Sequence, residues 1–340
     1  MNSLSDDQER KPAEKKAGWR DKLKTIWPSL FSVVVLLIFV VYLYLNADQF
    51  KSLLDLSILS ILMVIGLVLI SIGLKGLVNY LLYREMGASS IRVGEGVGLA
   101  VINTVSNQLP FAGGLIAKGV YLKKRYQVAY TQYVSATLAV YVCYVSSTGM
   151  VGLGVLGYWY ISGGEAPLSL ALGFLGMAAS ISLLWIPLNF AFLPRKWQRR
   201  ALQLADGWKI LQQNPVLVLE LVGLQIALTV LAAGRLWITF HALSQDVTML
   251  HCMLFSSASI LTRLVSISPG GFGVREGIIA GIASVLGFDL GVSAVAVGLE
   301  RLITTPVNIV LGIGYAYFLG KEAIDVPSEP GSADPVQTDL

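Results

Sequence analysis

Ser266-Ile267-Ser268-Pro269-Gly270-Gly271-Phe272-Gly273-Val274-Arg275-Glu276-Gly277 places two turn-forming glycines behind a proline, then an arginine and a glutamate, between two strongly apolar segments. The residue before a proline is pushed out of the α region, and Gly270, Gly271 and Gly273 are free to take backbone angles denied to other residues. A helix is expected to stop near Ser268 and another to start near Gly273. At about 1.5 Å per residue, Val274–Leu286 is too short to cross an apolar core of about 30 Å. The stretch reads as a helix broken inside a membrane. Backbone broken at that depth is tolerated only where protein buries it or where it lines a cavity, and in transporters such breaks commonly form the substrate site.

Composition sets the class. Of 340 residues, 55% are hydrophobic and 14% charged, with a mean hydropathy of +0.68. Several uncharged apolar runs are long enough to span a bilayer, so the chain is an all-α polytopic membrane protein. Cys143 and Cys252 both fall in apolar segments and read as small buried hydrophobes. His241 and His251 are too isolated to argue for a metal. No Walker loop, dinucleotide fingerprint, HExxH or GxSxG is present, so no cofactor, metal or nucleic-acid partner is expected. The net charge of +4 sits mostly in particular loops, where it carries topology information.

Taken in order, residues 1–27 form a polar, basic tail, expected to be disordered and cytoplasmic, and Leu30–Leu45 is an uncleaved first span. Leu56–Tyr83 is the second span. Ile91–Gln108 is moderately apolar and stops at Leu109-Pro110-Phe111-Ala112-Gly113-Gly114, after which Lys118, Lys123, Lys124 and Arg125 arrive quickly. A full crossing would put that basic loop outside, against the positive-inside tendency, so a segment that dips in and returns is preferred. Gln132–Ile161 and Leu168–Leu193 cross out and back, and Trp197–Leu211 reads as an interfacial helix. Pro215–Ala242 crosses outward, Met249–Ser268 enters and breaks, and Val274–Leu286 returns. Leu290–Leu319 is the last span, with Glu300 and Arg301 at its centre, and residues 320–340 form a second polar tail. The expectation is six full spans and two re-entrant hairpins within a single membrane domain over 28–319, with both termini cytoplasmic.

Span, broken hairpin, span occurs twice, over 56–161 and 215–319, in opposite orientation, which is an inverted-topology repeat. The hairpin breaks, Pro110, Gly113 and Gly114 against Pro269, Gly270, Gly271 and Gly273, each precede a cation, Lys118 or Arg275. Lys75 and Arg235 sit late in the first span of each unit.

The Pro269–Gly277 stretch, its looser Leu109–Gly119 partner and Leu299-Glu300-Arg301-Leu302 resemble the lysylphosphatidylglycerol synthase transmembrane-region family, which includes the flippase-like half of the multiple peptide resistance factor. The resemblance covers roughly Ser29–Leu319. It implies a bundle with re-entrant helices that moves lipids or lipid-linked precursors between leaflets, in a bacterial inner membrane. The soluble aminoacyl-transfer domain of the two-part members is missing from this sequence, and Ser135, Thr137, Tyr141 and Tyr144 stand where relatives carry an acidic–basic pair.

Charges inside a membrane are expensive and are functional candidates by default. Lys75, Lys118, Arg235, Arg263, Arg275 and Arg301 are the cations, and Glu276 and Glu300 their acidic partners. The excess of cations suits an anionic head group. Lys118 and Arg275, one from each hairpin, are expected to hold a lipid phosphate, helped by the helix N-termini behind them. The alternative for Arg275 is an internal ion pair with Glu300 or Glu276 that closes the bundle. Glu300 is alternatively a proton-coupling site. For Lys75 the favoured alternative is snorkelling to the interface, and Arg263 either lines the same cavity or meets Glu276. A lipid translocase is the leading function, ahead of a lipid-binding scaffold for a separate glycosyl- or aminoacyl-transferase, with an intramembrane enzyme last. Membrane lipids, a second copy of the chain and such a transferase are the candidate partners.

Overall fold

The structure, a computed structural model, describes residues 57–106, 113–164, 166–186, 205–264 and 273–324, with side chains throughout except at 113, 263–264 and 316–324. Every element in these ranges is helical. The order is α1 (Ile58–Glu85), α2 (Val93–Ser106), α3 (Gly113–Tyr126), α4 (Tyr130–Ile161) and α5 (Leu168–Ala179), which continues as a 3-10 turn over Ser180–Trp185. After a helical stretch at 205–213 come α6 (Pro215–Ala242), α7 (Met249–Ala258), α8 (Leu261–Leu264), α9 (Val274–Val285) and α10 (Leu290–Ile324).

Among the described residues, five segments are long and apolar enough to cross a membrane: Ile58–Glu85, Tyr130–Ile161, Leu168–Trp185, Pro215–Ala242 and Leu290–Tyr315. The expected first span, Leu30–Leu45, and residues 197–204 of the expected interfacial helix Trp197–Leu211 lie outside the described residues, and the rest of that helix, 205–211, is helical. Five helices, α2, α3, α7, α8 and α9, are too short to cross. At about 1.5 Å per residue, the 14 residues of α2 or of α3 reach about 21 Å, and the 12 of α9 about 18 Å. Long, short, short, long is therefore the order of α1–α4, and it recurs in α6, α7–α8, α9 and α10.

Helix packing follows the same pairing. The outer long helix of each unit packs on its own short partner (α1 on α2, α6 on α7), and the two short arms of each hairpin pack together. Each first arm also packs on the other unit's last helix: α2 on α10, and α7 on α4. The long helices α1 and α6 meet each other directly. Of the four apolar clusters among the described residues, two surround the hairpins. One gathers Leu82, Tyr83, Leu99, Leu122, Tyr133 and Ala136 around the first hairpin, and the other gathers Leu236, Phe240, Phe255, Ile279 and Ala296 around the second.

Glycine decides how closely α1 and α2 approach. A Cβ built on Gly96 would lie 2.5 Å from the Gly76 carbonyl oxygen, and one on Gly76 would lie 2.3 Å from a Val97 methyl. With no hydrophobic drive between helices in lipid, such backbone proximity is the main source of packing energy. Gly96→Ala is expected to lower the thermal midpoint in detergent, at a cost of about 1–3 kcal/mol. Gly66→Ala on the same α1, with nothing within 4 Å of its added methyl, is the neutral control; equal midpoints for the two variants would contradict the tight crossing.

Candidate functional site

The second hairpin brings five charged side chains into one buried cluster. Gly273, at a φ of +79°, turns the chain into α9, a conformation that only glycine adopts without strain. Its N–H donates to Glu276 Oε2 at 2.8 Å, so the glutamate caps the helix it belongs to. One residue earlier, Arg275 points to α10, where its Nη2 lies 2.6 Å from Glu300 Oε2. Arg235 reaches the same carboxylate from α6, Nε to Oε1 at 2.8 Å, and donates from Nη1 to Ser71 Oγ on α1 at 2.9 Å. Ser71 passes its own proton to the Leu67 carbonyl at 2.7 Å. Arg301, beside Glu300, returns to α9 and meets Glu276 Oε1 at 2.8 Å.

Glu300 thus ties α6, α9 and α10 together, with α1 attached through Ser71. Its exposure is 1%, and that of Glu276 is 4%. Desolvating such carboxylates is costly, and only the facing guanidiniums repay it. Two contacts are close without being aligned: Glu300 Oε2 and Glu276 Oε1 face arginines at ion-pair distance but accept no well-directed hydrogen bond from them.

The first hairpin presents a different arrangement. Gly114 packs against Asn103 across the hairpin, where a Cβ would meet Asn103 Oδ1 at 2.7 Å. Lys118, one turn further along α3, is buried, and its Nζ makes a weak 3.5 Å contact with Asn79 Oδ1 on α1. Among the described residues no carboxylate comes within ion-pair distance of it. Asn79 is fixed from its other side, its Nδ2 donating to the Gly96 carbonyl at 3.0 Å.

Sequence reasoning therefore named the members of the second cluster, and of its open pairings the structure takes Arg275 with Glu300. Glu276 serves Arg301 and its own helix end. Glu300 sits in an ion-pair triad between Arg235 and Arg275. Lys75 is half-buried on α1, one turn beyond Ser71 on the same face. Arg263 falls in α8 with its side chain undescribed, and Pro110, Pro269, Gly270 and Gly271 lie outside the described residues.

One buried acid had not been anticipated. Glu95, 2% exposed in the first turn of α2, accepts from the Arg92 backbone N–H at 2.9 Å, from Tyr121 Oη at 3.1 Å and from Tyr126 Oη, and pairs with Arg125 Nε at 2.9 Å. Burial pushes this carboxyl up, yet the Tyr126 and Arg92 hydrogen bonds and the Arg125 charge outweigh it and hold it below the usual carboxylate range. The only advance signal was a carboxylate three residues after Arg92 with a tyrosine–arginine run to follow, a pattern shared by many solvated helix ends.

Compared with known proteins, the chain matches the family described as lysylphosphatidylglycerol synthase TM region over residues 26–312. It belongs to that family. No curated protein and no solved structure gives a significant match. Membership and the apolar helices together identify an integral membrane protein, compatible with a lipid-related, flippase-like role and with the absence of catalysis.

Removing Glu300 would leave Arg235 and Arg275 facing each other without an anion. Glu300→Ala is expected to destabilise the folded protein by about 3–5 kcal/mol, the range for breaking a buried pair from one side. In a thermal melt, Arg235→Leu combined with Glu300→Leu should recover part of that loss; a double variant as unstable as the sum of the singles would contradict the pairing.

Proposed function

We propose that this protein is a lipid translocase that moves an anionic phospholipid, or a polyisoprenoid- or glycolipid-linked precursor, between leaflets along a polar path between the two hairpins. One observation carries the reading: around the deep part of the two hairpins one buried and three part-buried cations face two buried carboxylates. Lys118 has an amide as its partner, while Arg235, Arg275 and Arg301 share two carboxylates. A buried ammonium without an anion is costly, and a lipid phosphate supplies the missing charge. Arg275 would release Glu300 to grip the phosphate and take the carboxylate back after transfer, so the internal acid acts as a stand-in for the substrate. A guanidinium suits this exchange, since carboxylate and phosphate offer it the same two-oxygen geometry.

The inverted repeat supports an alternating mechanism. Helices α1 and α6 each have 28 residues, starting 157 positions apart (58 and 215) and ending 157 apart (85 and 242). Lys118 and Arg275 are separated by the same 157 positions. Opposite insertion of two such units, with Leu30–Leu45 and Leu168–Leu193 as further spans, gives six spans, two re-entrant hairpins opening to opposite sides, and both termini in the cytoplasm of a bacterial inner membrane. A second reading, a lipid-binding scaffold for a separate transferase, draws on the fact that every arginine of the Glu300–Glu276 cluster already has a carboxylate.

Head-group flipping in liposomes decides between them. With labelled anionic lipids beside a zwitterionic control, the wild type is expected to accelerate the anionic lipids, and Lys118→Gln or Arg275→Gln to remove most of that acceleration while remaining folded. Anionic lipids moving no faster than in empty liposomes would favour the scaffold.

Topology has its own check. Single cysteines placed at Lys123 and Phe288 in a Cys143→Ala, Cys252→Ala background should react with an impermeant thiol reagent from opposite faces, Lys123→Cys from the cytoplasm. Labelling of both from one face would contradict the inverted arrangement.

A further inference from the structure

The Glu95 cluster lies at the open end of the first hairpin, where the chain enters α2 and leaves α3. It joins those two ends, since Arg92 and Glu95 belong to the start of α2, and Tyr121, Arg125 and Tyr126 to the last turns of α3. Lys118, Tyr121 and Arg125 follow at spacings of three and four residues, which places them on one face of α3. All three engage the α1–α2 side: Arg125 and Tyr121 on Glu95, and Lys118 on Asn79. Asn79 binds the carbonyl of Gly96, the residue after Glu95. A continuous polar chain therefore runs from Arg125 at the hairpin mouth, through Glu95, Gly96 and Asn79, to buried Lys118.

The mouth is also strongly basic. Arg92, Lys123 and Lys124 are exposed, and the Arg125 side chain is 30% exposed although it is bonded to a carboxylate that is 3% exposed. Within this ring of cations Glu95 is the carboxylate that pairs with Arg125. An anion arriving from the membrane surface meets the exposed part of the Arg125 side chain first and competes with Glu95 for it.

We infer that the mouth of the first hairpin is a loading site for a phosphate-bearing lipid head group, held shut by Glu95 until the phosphate draws Arg125 away. Loss of the Arg125 pair leaves α3 held to Glu95 by Tyr121 and Tyr126 alone, a weaker hold that lets α3 shift from α2 and opens the way to Lys118. Glu95 is a positioning residue here and does not touch the lipid. The inference takes its substrate class from the translocation reading, but its test requires no translocation.

Hydrogen exchange of the full-length protein provides that test, read in peptides spanning 113–126. The chain is placed in nanodiscs of phosphatidylcholine alone, of phosphatidylcholine with phosphatidylglycerol, or of phosphatidylcholine with free glycerol phosphate in solution. Wild-type exchange in this segment should rise several-fold with phosphatidylglycerol only. Glu95→Gln should exchange about tenfold faster than wild type in phosphatidylcholine, the effect of losing one charged hydrogen bond, and respond little to further anionic lipid. Tyr126→Phe, which keeps the ring and removes one donor, should fall between the two, and serves if Glu95→Gln fails to fold. Arg125→Gln should lose the lipid response. Exchange unchanged by phosphatidylglycerol in the wild type, or raised equally by free glycerol phosphate, would overturn the loading site. Opening by lipid in a protein that flips nothing would leave the latch standing and remove the translocation reading.

Discussion

A charge buried among apolar helices must have a partner, and this fold is arranged around that requirement. Glu300 sits in the middle of the last described helix, where a lone carboxylate would be intolerable, and it is neutralised by arginines from two other helices. Because those arginines come from α6 and α9, satisfying the charge also fixes where the helices meet. Ser71 extends the linkage into the other half of the molecule through Arg235. An apolar contact tolerates sliding; a carboxylate between two guanidiniums does not.

The two hairpins then differ in how they treat charge. The second closes on itself: its helix start is capped by Glu276, and its arginine is matched by Glu300. The first places its acid at the mouth and leaves its deep lysine with an amide. Paired charge near one hairpin and surplus charge in the other is the asymmetry expected when substrate completes the set in turn, first on one side and then on the other. Arg235 and Arg275 each meet one oxygen of Glu300, at 2.8 and 2.6 Å.

Much of this was legible from the chain because it rests on local exclusions. Proline and glycine in 266–273 predict a helix start near Gly273, and α9 begins at Val274; lysine, arginine or glutamate in an apolar run is rare enough to mark a site by itself. The 28-residue helices and the short arms follow from apolar run lengths. What stayed hidden was pairing across distance. Arg235 and Glu300 are 65 positions apart, Arg275 had two carboxylates within plausible reach, and no periodicity chooses between them. Glu95 escaped for the opposite reason. Beside Arg92, in a glycine-rich segment, it looks like an ordinary solvated helix end, and its burial arises only when Tyr121 and Tyr126 fold back over it from the next helix.

The central claim is that the Glu300 carboxylate holds a place that a lipid phosphate takes in turn. Native mass spectrometry of the protein released from detergent measures this directly, by counting anionic lipids retained per chain. Glu300→Gln, which keeps the shape and removes the competing charge, should retain more anionic lipid than the wild type, and Arg275→Gln should retain less. Equal retention in all three would contradict the account, and the cluster would then be a structural lock and nothing more.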